Sequence, residues 1–236
     1  MNTSHKETAI NALAEEIKTC QKCYGLSQKH KVKVINIIAS RSRTGIGFWS
    51  DAYPNYDAKL MIVGQDWGSE DTVKNKQPEY EPYYGEPKNS SWKTLMKHLK
   101  DANFNTSGGE YAFTDIYLTN ALLCAREGDK DSGYIPNKYF DNCYPFLKNQ
   151  IDLIRPKIIA TLGKTVFDVF ARVYNIKYKS FYDEVLTNKY SVDGIILFPL
   201  CHTSPLAERN RARSRKSDRM LDDFVKLRIL LDEIKD

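Results

Sequence analysis

Apolar residues recur along this chain in two rhythms, one of short buried runs and one of helical spacing. Ile10, Leu13 and Ile17 stand three and four apart, which predicts a helix over Thr3–Lys18. Four compact apolar runs, from Lys59 to Val63, Asp115 to Thr119, Lys157 to Leu162 and Gly194 to Leu200, predict strands. Helical spacing fills the intervals between them. One helix runs from Asn89 or Ser90, either able to cap it, through Leu99. A second runs from Asn137 to Ile154, stopped by Pro156, and a third from Lys164 to Tyr174. Met220, Phe224, Leu227, Leu231 and Ile234 share one face of a last helix. The stretch from Ser40 to Asn55 predicts a loop, as does a polar stretch of about 25 residues ending at Asn89, long enough to suggest a functional segment. Strands alternating with helices imply an α/β fold with a mainly parallel sheet covered on both faces. Ligands bind such sheets at the carboxyl ends of the strands. Three polar clusters fall there: Gln65-Asp66, Asn120 and His202-Thr203-Ser204.

Length adds that 236 residues suit one domain over the whole chain, expected as a monomer. No apolar run approaches the roughly 20 residues of a membrane span. The first residues lack the basic-then-apolar order of a secretory signal, so the expected compartment is the cytoplasm. In that setting five cysteines point to a metal site, a reactive thiol or plain burial rather than to disulfides. The net charge of +5 permits a polyanionic partner without requiring one. Its distribution is more telling: Glu208 to Arg219 holds six basic and two acidic residues, most of the net excess. A basic stripe beside a strand-end site suits a phosphate backbone, though it is equally the composition of a solvated helix face.

The strand-end clusters carry candidate chemistry. In Gly64-Gln65-Asp66-Trp67-Gly68, a carboxylate just past a buried strand can hold a water and accept its proton, while glycines allow close backbone approach. Asp and Gly are also ordinary turn residues. In His202-Thr203-Ser204-Pro205-Leu206, the histidine can donate to a developing anion, Ser204 can clamp a phosphate, and Leu206 can wedge into a base stack. A capping Ser-Pro turn would use the same residues. Cys20 and Cys23 form a C-x-x-C pair, and Cys124 and Cys143 follow far downstream. Four thiolates can ligate a [4Fe–4S] cluster or a zinc ion, and spacing does not choose between them. Cys201 reads as a small core residue.

Taken in order, these motifs resemble the uracil-DNA glycosylases. Cys-x-x-Cys leads to a strand ending Gly-x-x-x-Gly, then Leu-Thr-Asn-x-x-x-Cys. Next comes Cys-x-x-Phe-Leu-x-x-Gln-Ile-x-x-Ile-x-Pro-Lys, and last His-x-Ser-Pro-Leu. The likeness runs from Cys20 to about Arg211 and is greatest to the iron–sulfur branch, family four. There are departures. Gly64-Gln65-Asp66 is similar to the cluster-free family one, whose aspartate orients water. Trp67 stands in place of a proline. Gly68 stands where family one has a thymine-excluding tyrosine, and Thr203 replaces the proline of His-Pro-Ser.

The resemblance implies a three-layer α/β/α domain around a four-stranded, mainly parallel sheet, with Cys20, Cys23, Cys124 and Cys143 ligating a [4Fe–4S] cluster. It implies hydrolysis of the N-glycosidic bond of uracil, or another deaminated base such as hypoxanthine, in DNA. A catalytically silent DNA-binding member of the fold is the remaining alternative. Base chemistry of this kind requires extrusion of the nucleotide from the stack. The implied roles are water activation by Asp66, stabilisation of the leaving base by His202, and base contacts from Gly64, Gln65 and Asn120. Tyr83 would stack on the base, Ser204 and Leu206 would meet the strand, and Arg209 and Arg211 would hold phosphates.

Overall fold

The computed structural model describes residues 3–27, 32–37, 47, 54–76, 90–105, 113–129, 133–214 and 220–234. Its strands are β1 (Val34–Ile35), β2 (Leu60–Gly64), β3 (Ile116–Asn120), β4 (Ala125–Arg126), β5 (Ile158–Leu162), β6 (Tyr190–Val192) and β7 (Ile195–Leu200). Its helices, relabelled in chain order, are α1 (Thr3–Lys18), α2 (Tyr24–Ser27), α3 (Glu70–Lys76), α4 (Ser90–Asp101), α5 (Asn137–Ile154), α6 (Lys164–Val173), α7 (Pro205–Ser214) and α8 (Met220–Glu233).

The central sheet has the order β3-β2-β5-β7-β6. The first four strands are parallel, as expected, and β6 joins the edge antiparallel to β7. The sheet is therefore five-stranded, not four-stranded. The addition is a hairpin turning at Asp193 and Gly194, both at positive φ, the backbone that an Asp-Gly pair supplies for a tight primed turn. Every residue of β2, β3 and β5 is buried. That explains their unbroken apolar runs: helices cover both faces, so neither set of alternating side chains meets water.

The helices flank this sheet. α1 packs on α5, α5 on α6, and α4 on α8. α1 is held by buried Lys6, whose Nζ donates to the Tyr56 and Ile154 carbonyls at 3.0 and 3.3 Å and to Asp57 Oδ1 at 2.8 Å. A cation at the last carbonyl of α5 also complements the negative end of that helix. This docking delivers Cys20 and Cys23 to the core. A separate two-stranded ribbon pairs β1 with β4. Among the described residues no helix is long and apolar enough to cross a membrane.

Candidate active site and cysteine-lined cavity

The four parallel strands end side by side, and each contributes one element to a common mouth. Gly64 at the end of β2 pairs in register with Asn120 at the end of β3. Gly163 follows β5 and His202 follows β7. The site therefore draws on four adjacent strand ends, where the fold class leads one to look for it.

Asn120 is fully buried, and neither its Nδ2 nor its Oδ1 has a hydrogen-bonding partner among the described residues. A buried amide left unpaired costs on the order of 1–3 kcal/mol. Native structures tolerate such a group where a ligand satisfies it.

His202 is oriented by its own loop. The Ser204 N–H donates to His202 Nδ1 at 3.1 Å. Nδ1 therefore acts as acceptor, and the proton of the neutral ring sits on Nε2. Burial pushes the His202 pKa below its usual value, against the opposing pull of the Asp66 charge, so the neutral, Nε2-donating form is the one held at neutral pH. Gly163 makes this placement possible. It sits at φ +90°, and a Cβ there would lie 3.1 Å from the His202 Cβ. Ser204 also caps α7, its Oγ accepting from the Ala207 N–H at 3.3 Å, so the capping turn is real. Thr203 is buried and donates to the Ser91 carbonyl at 2.8 Å, which ties the loop to α4.

Asp66 is more constrained than its position in the sequence suggests. Oδ1 accepts from the Gly68 N–H at 2.7 Å and from Arg126 Nε at 3.4 Å. Oδ2 accepts from Gln65 Nε2 at 2.7 Å and from Arg126 Nη2 at 2.9 Å. The ion pair is nearly closed to solvent, with side-chain exposures of 7% for Arg126 and 5% for Asp66. Arg126 was missed by sequence reasoning. Its only signal is an arginine closing the apolar run Ala121–Ala125, where a buried cation must find an acid.

The basic segment divides in two. Arg209 and Arg213 are exposed on α7, and Leu206 in its first turn is 60% exposed. Arg211 is 1% exposed; its Nε donates to Asp223 of α8 at 2.8 Å, and Nη2 lies 2.7 Å from the same oxygen. The expectation that Arg211 holds a phosphate is thus corrected, because its guanidinium points into the helix–helix contact. Tyr83 and residues 215–219 of the basic stripe lie outside the described residues. Trp67 is buried, and Gly47 lies against its indole so closely that a Cβ at Gly47 would fall 2.0 Å from the ring. The aromatic that replaces a proline is therefore part of the packing beneath the motif.

The second site is a cavity of about 360 Å³ whose lining includes Cys20, Cys23, Cys124 and Cys143, with Val34, Ile35 and Phe146 among its apolar wall. Burial pushes the Cys143 thiol up to about 12 and raises those of Cys124 and Cys23. The neighbouring thiols add to the rise. Two sulfurs have N–H donors: Leu123 N–H lies 3.3 Å from Cys143 Sγ, and Asn142 Nδ2 lies 3.8 Å from Cys23 Sγ. Four converging thiols, an apolar wall and N–H···S contacts are the surroundings an iron–sulfur cluster takes. Among the described residues, no three His, Cys, Asp or Glu side chains are grouped closely enough to hold a single metal ion.

Residues 51–226 match the family model of the uracil DNA glycosylase superfamily, and the chain belongs to that superfamily. It is similar to type-4 uracil-DNA glycosylases. The one from Sulfurisphaera tokodaii is 27% identical over 230 residues, covering 94% of this chain and 84% of the relative. The Archaeoglobus fulgidus enzyme is 23% identical over 170 residues, covering 72% and 67%. That of Saccharolobus solfataricus is 24% identical over 174 residues, covering 72% and 63%.

Proposed function

We propose that this protein is a DNA glycosylase that hydrolyses the N-glycosidic bond of uracil in DNA, working as a single-domain monomer in the cytoplasm. The observation that carries the reading is the buried amide of Asn120, without a partner among the described residues, at the strand ends of a uracil-DNA glycosylase fold. One amide donor and one acceptor match uracil O4 and N3–H, whereas cytosine presents the reverse pattern. The ring nitrogens and carbonyls of an extruded base would give Asn120 the partners it lacks among the described residues.

Bond cleavage sends the electron pair of the glycosidic bond to the base, which leaves as an anion, while the sugar becomes cationic. His202, with its proton on Nε2, donates to uracil O2 as that charge develops. It does so as a neutral group, which fits a ring whose pKa burial has lowered. Asp66 supplies a fixed negative charge to the cationic sugar and orients the attacking water. Four donors occupy the carboxylate, so proton acceptance requires one of them to yield. The Gln65 amide is the neutral side-chain donor among them, and its exchange for water frees Oδ2. Gly64 and the Gln65 backbone line the base side. On the DNA side, exposed Leu206 fills the gap left by the flipped nucleotide, with Ser204 at the strand and Arg209 and Arg213 on its phosphates. Stacking of Tyr83 on the base is retained from the resemblance alone.

Cys20, Cys23, Cys124 and Cys143 would hold a [4Fe–4S] cluster. Bound there, the cluster would supply folding stability by tying the segment after α1 to the loop after β3 and to α5.

The test is single-turnover base release from single- and double-stranded oligonucleotides carrying uracil, hypoxanthine or cytosine. Release of uracil but not cytosine is expected. Release of hypoxanthine alone would reassign the substrate, and DNA binding without any release would leave a silent member of the fold.

A further inference from the structure

The loop that carries Asp66 and the loop that follows β3 are joined by backbone hydrogen bonds on either side of Asp66. Ala121 N–H donates to the Gly64 carbonyl at 2.8 Å, Leu122 to Gln65 at 2.9 Å, Arg126 to Gly68 at 2.8 Å, and Asp71 to Gly128 at 3.2 Å. Gly128 N–H returns a bond to the Glu70 carboxylate at 3.2 Å. Along this seam one side chain crosses into the site. The Arg126 guanidinium grips both oxygens of Asp66 and reaches the Gly133 carbonyl with Nη1 at 3.1 Å. Its backbone is fixed as well, by the β1–β4 ribbon and a bridge to Ser69. A guanidinium anchored at both ends has one orientation, and so does the carboxylate it holds.

We propose that Arg126 is the positioning residue of this site, fixing the Asp66 carboxylate in the orientation that serves base release. The proposal rests on the glycosylase reading given above. A carboxylate with free χ rotation would spread its charge over several directions, and misplacement by an ångström can cost about 10²-fold in rate. The planar fork of arginine fixes both oxygens; a lysine ammonium fixes one point only. Arg126 touches no substrate in this scheme, so its loss acts on the chemical step and leaves DNA affinity in place.

The experiment compares the parent, Arg126→Lys, Arg126→Met, Asp66→Asn and the double variant Asp66→Asn/Arg126→Met. Each is assayed for single-turnover uracil release across DNA concentrations, with a thermal melt for each. Arg126→Met should lose about 10²-fold in the maximal rate with little change in the half-saturating DNA concentration, and Arg126→Lys should recover part of it. In the Asp66→Asn background the same change should cost little, because the group it positions is already gone. Parent-like release by Arg126→Met, faster release, or an equal loss in both backgrounds would overturn the proposal. Crystal structures of the parent and Arg126→Met form an arm that needs no activity. A displaced Asp66 carboxylate in the variant supports positioning even if the parent proves inert and the glycosylase reading fails. An unmoved one contradicts positioning whatever the assay returns.

Discussion

Two buried arginine–aspartate pairs stand among the described residues, and they differ in what surrounds them. Arg211 and Asp223 join α7 to α8, with side-chain exposures of 1% and 5%. Arg126 and Asp66 are almost equally closed, at 7% and 5%. Burial and charge therefore do not separate a pair in a helix contact from a pair at the candidate site. What separates them is the neighbourhood: Asp66 acts on the pKa of His202 and stands at the strand ends with the unpartnered amide of Asn120, whereas Asp223 lies in α8 among helix contacts.

The contrast breaks most sharply on the site acid. Asp66→Asn keeps size but removes the charge and turns one acceptor oxygen into a donor facing N–H groups, and base release should fall roughly 10²–10⁴-fold. DNA affinity, measured by fluorescence anisotropy, should stay near that of the parent. The helix pair should behave in the opposite way. Arg211→Met takes the guanidinium away from a buried carboxylate, which should cost about 3–5 kcal/mol of stability. A melting midpoint lowered by roughly 6–20 °C would register it, with release per folded molecule unchanged at low temperature.

A smaller effect concerns the proton that His202 is proposed to donate. Its working form is neutral and its pKa lies below the ordinary histidine value. Release should therefore hold level as pH falls to about 6.5 and decline only below that. The same sign applies to stability, since the folded state disfavours the charged ring: the contribution is present above the ordinary histidine pKa and lost as pH drops through the lowered one. A pH–rate profile of the chemical step reads this directly. A decline that begins above pH 7 would point to another group. Smaller still is the phosphate contact. Reversing Arg209 and Arg213 should reduce the slope of log affinity against log salt by about one for each lost contact, and an unchanged slope would return α7 to an ordinary solvated helix.

The four parallel strands were legible to within a residue because β2, β3 and β5 are buried on both faces, β7 is partly so, and each reads as a near-continuous apolar run. Helices α1 and α5 were legible in full, α1 through the spacing of Ile10, Leu13 and Ile17. The β6 hairpin was passed over although Asp193-Gly194 signals it. The β1–β4 ribbon has two residues per strand, too few for any period. At the site, Asp66, Asn120 and His202 could be read because a polar residue after a buried strand needs a reason to be there. Arg126 could not, since its meaning lies in a partner 60 positions away. Arg211 was misread as a surface cation. Once residues 205–214 form a helix, Arg209 and Arg213 share a face at a spacing of four and Arg211 falls on the opposite one.

The Asn120 amide, without a partner among the described residues, is proposed to serve a base. That amide has no partner among the described residues, so removing it forfeits no hydrogen bond to any of them. Asn120→Ala should therefore melt close to the parent temperature, yet lose most single-turnover release from a uracil-containing single strand. Parent-like release by a well-folded Asn120→Ala would contradict the account.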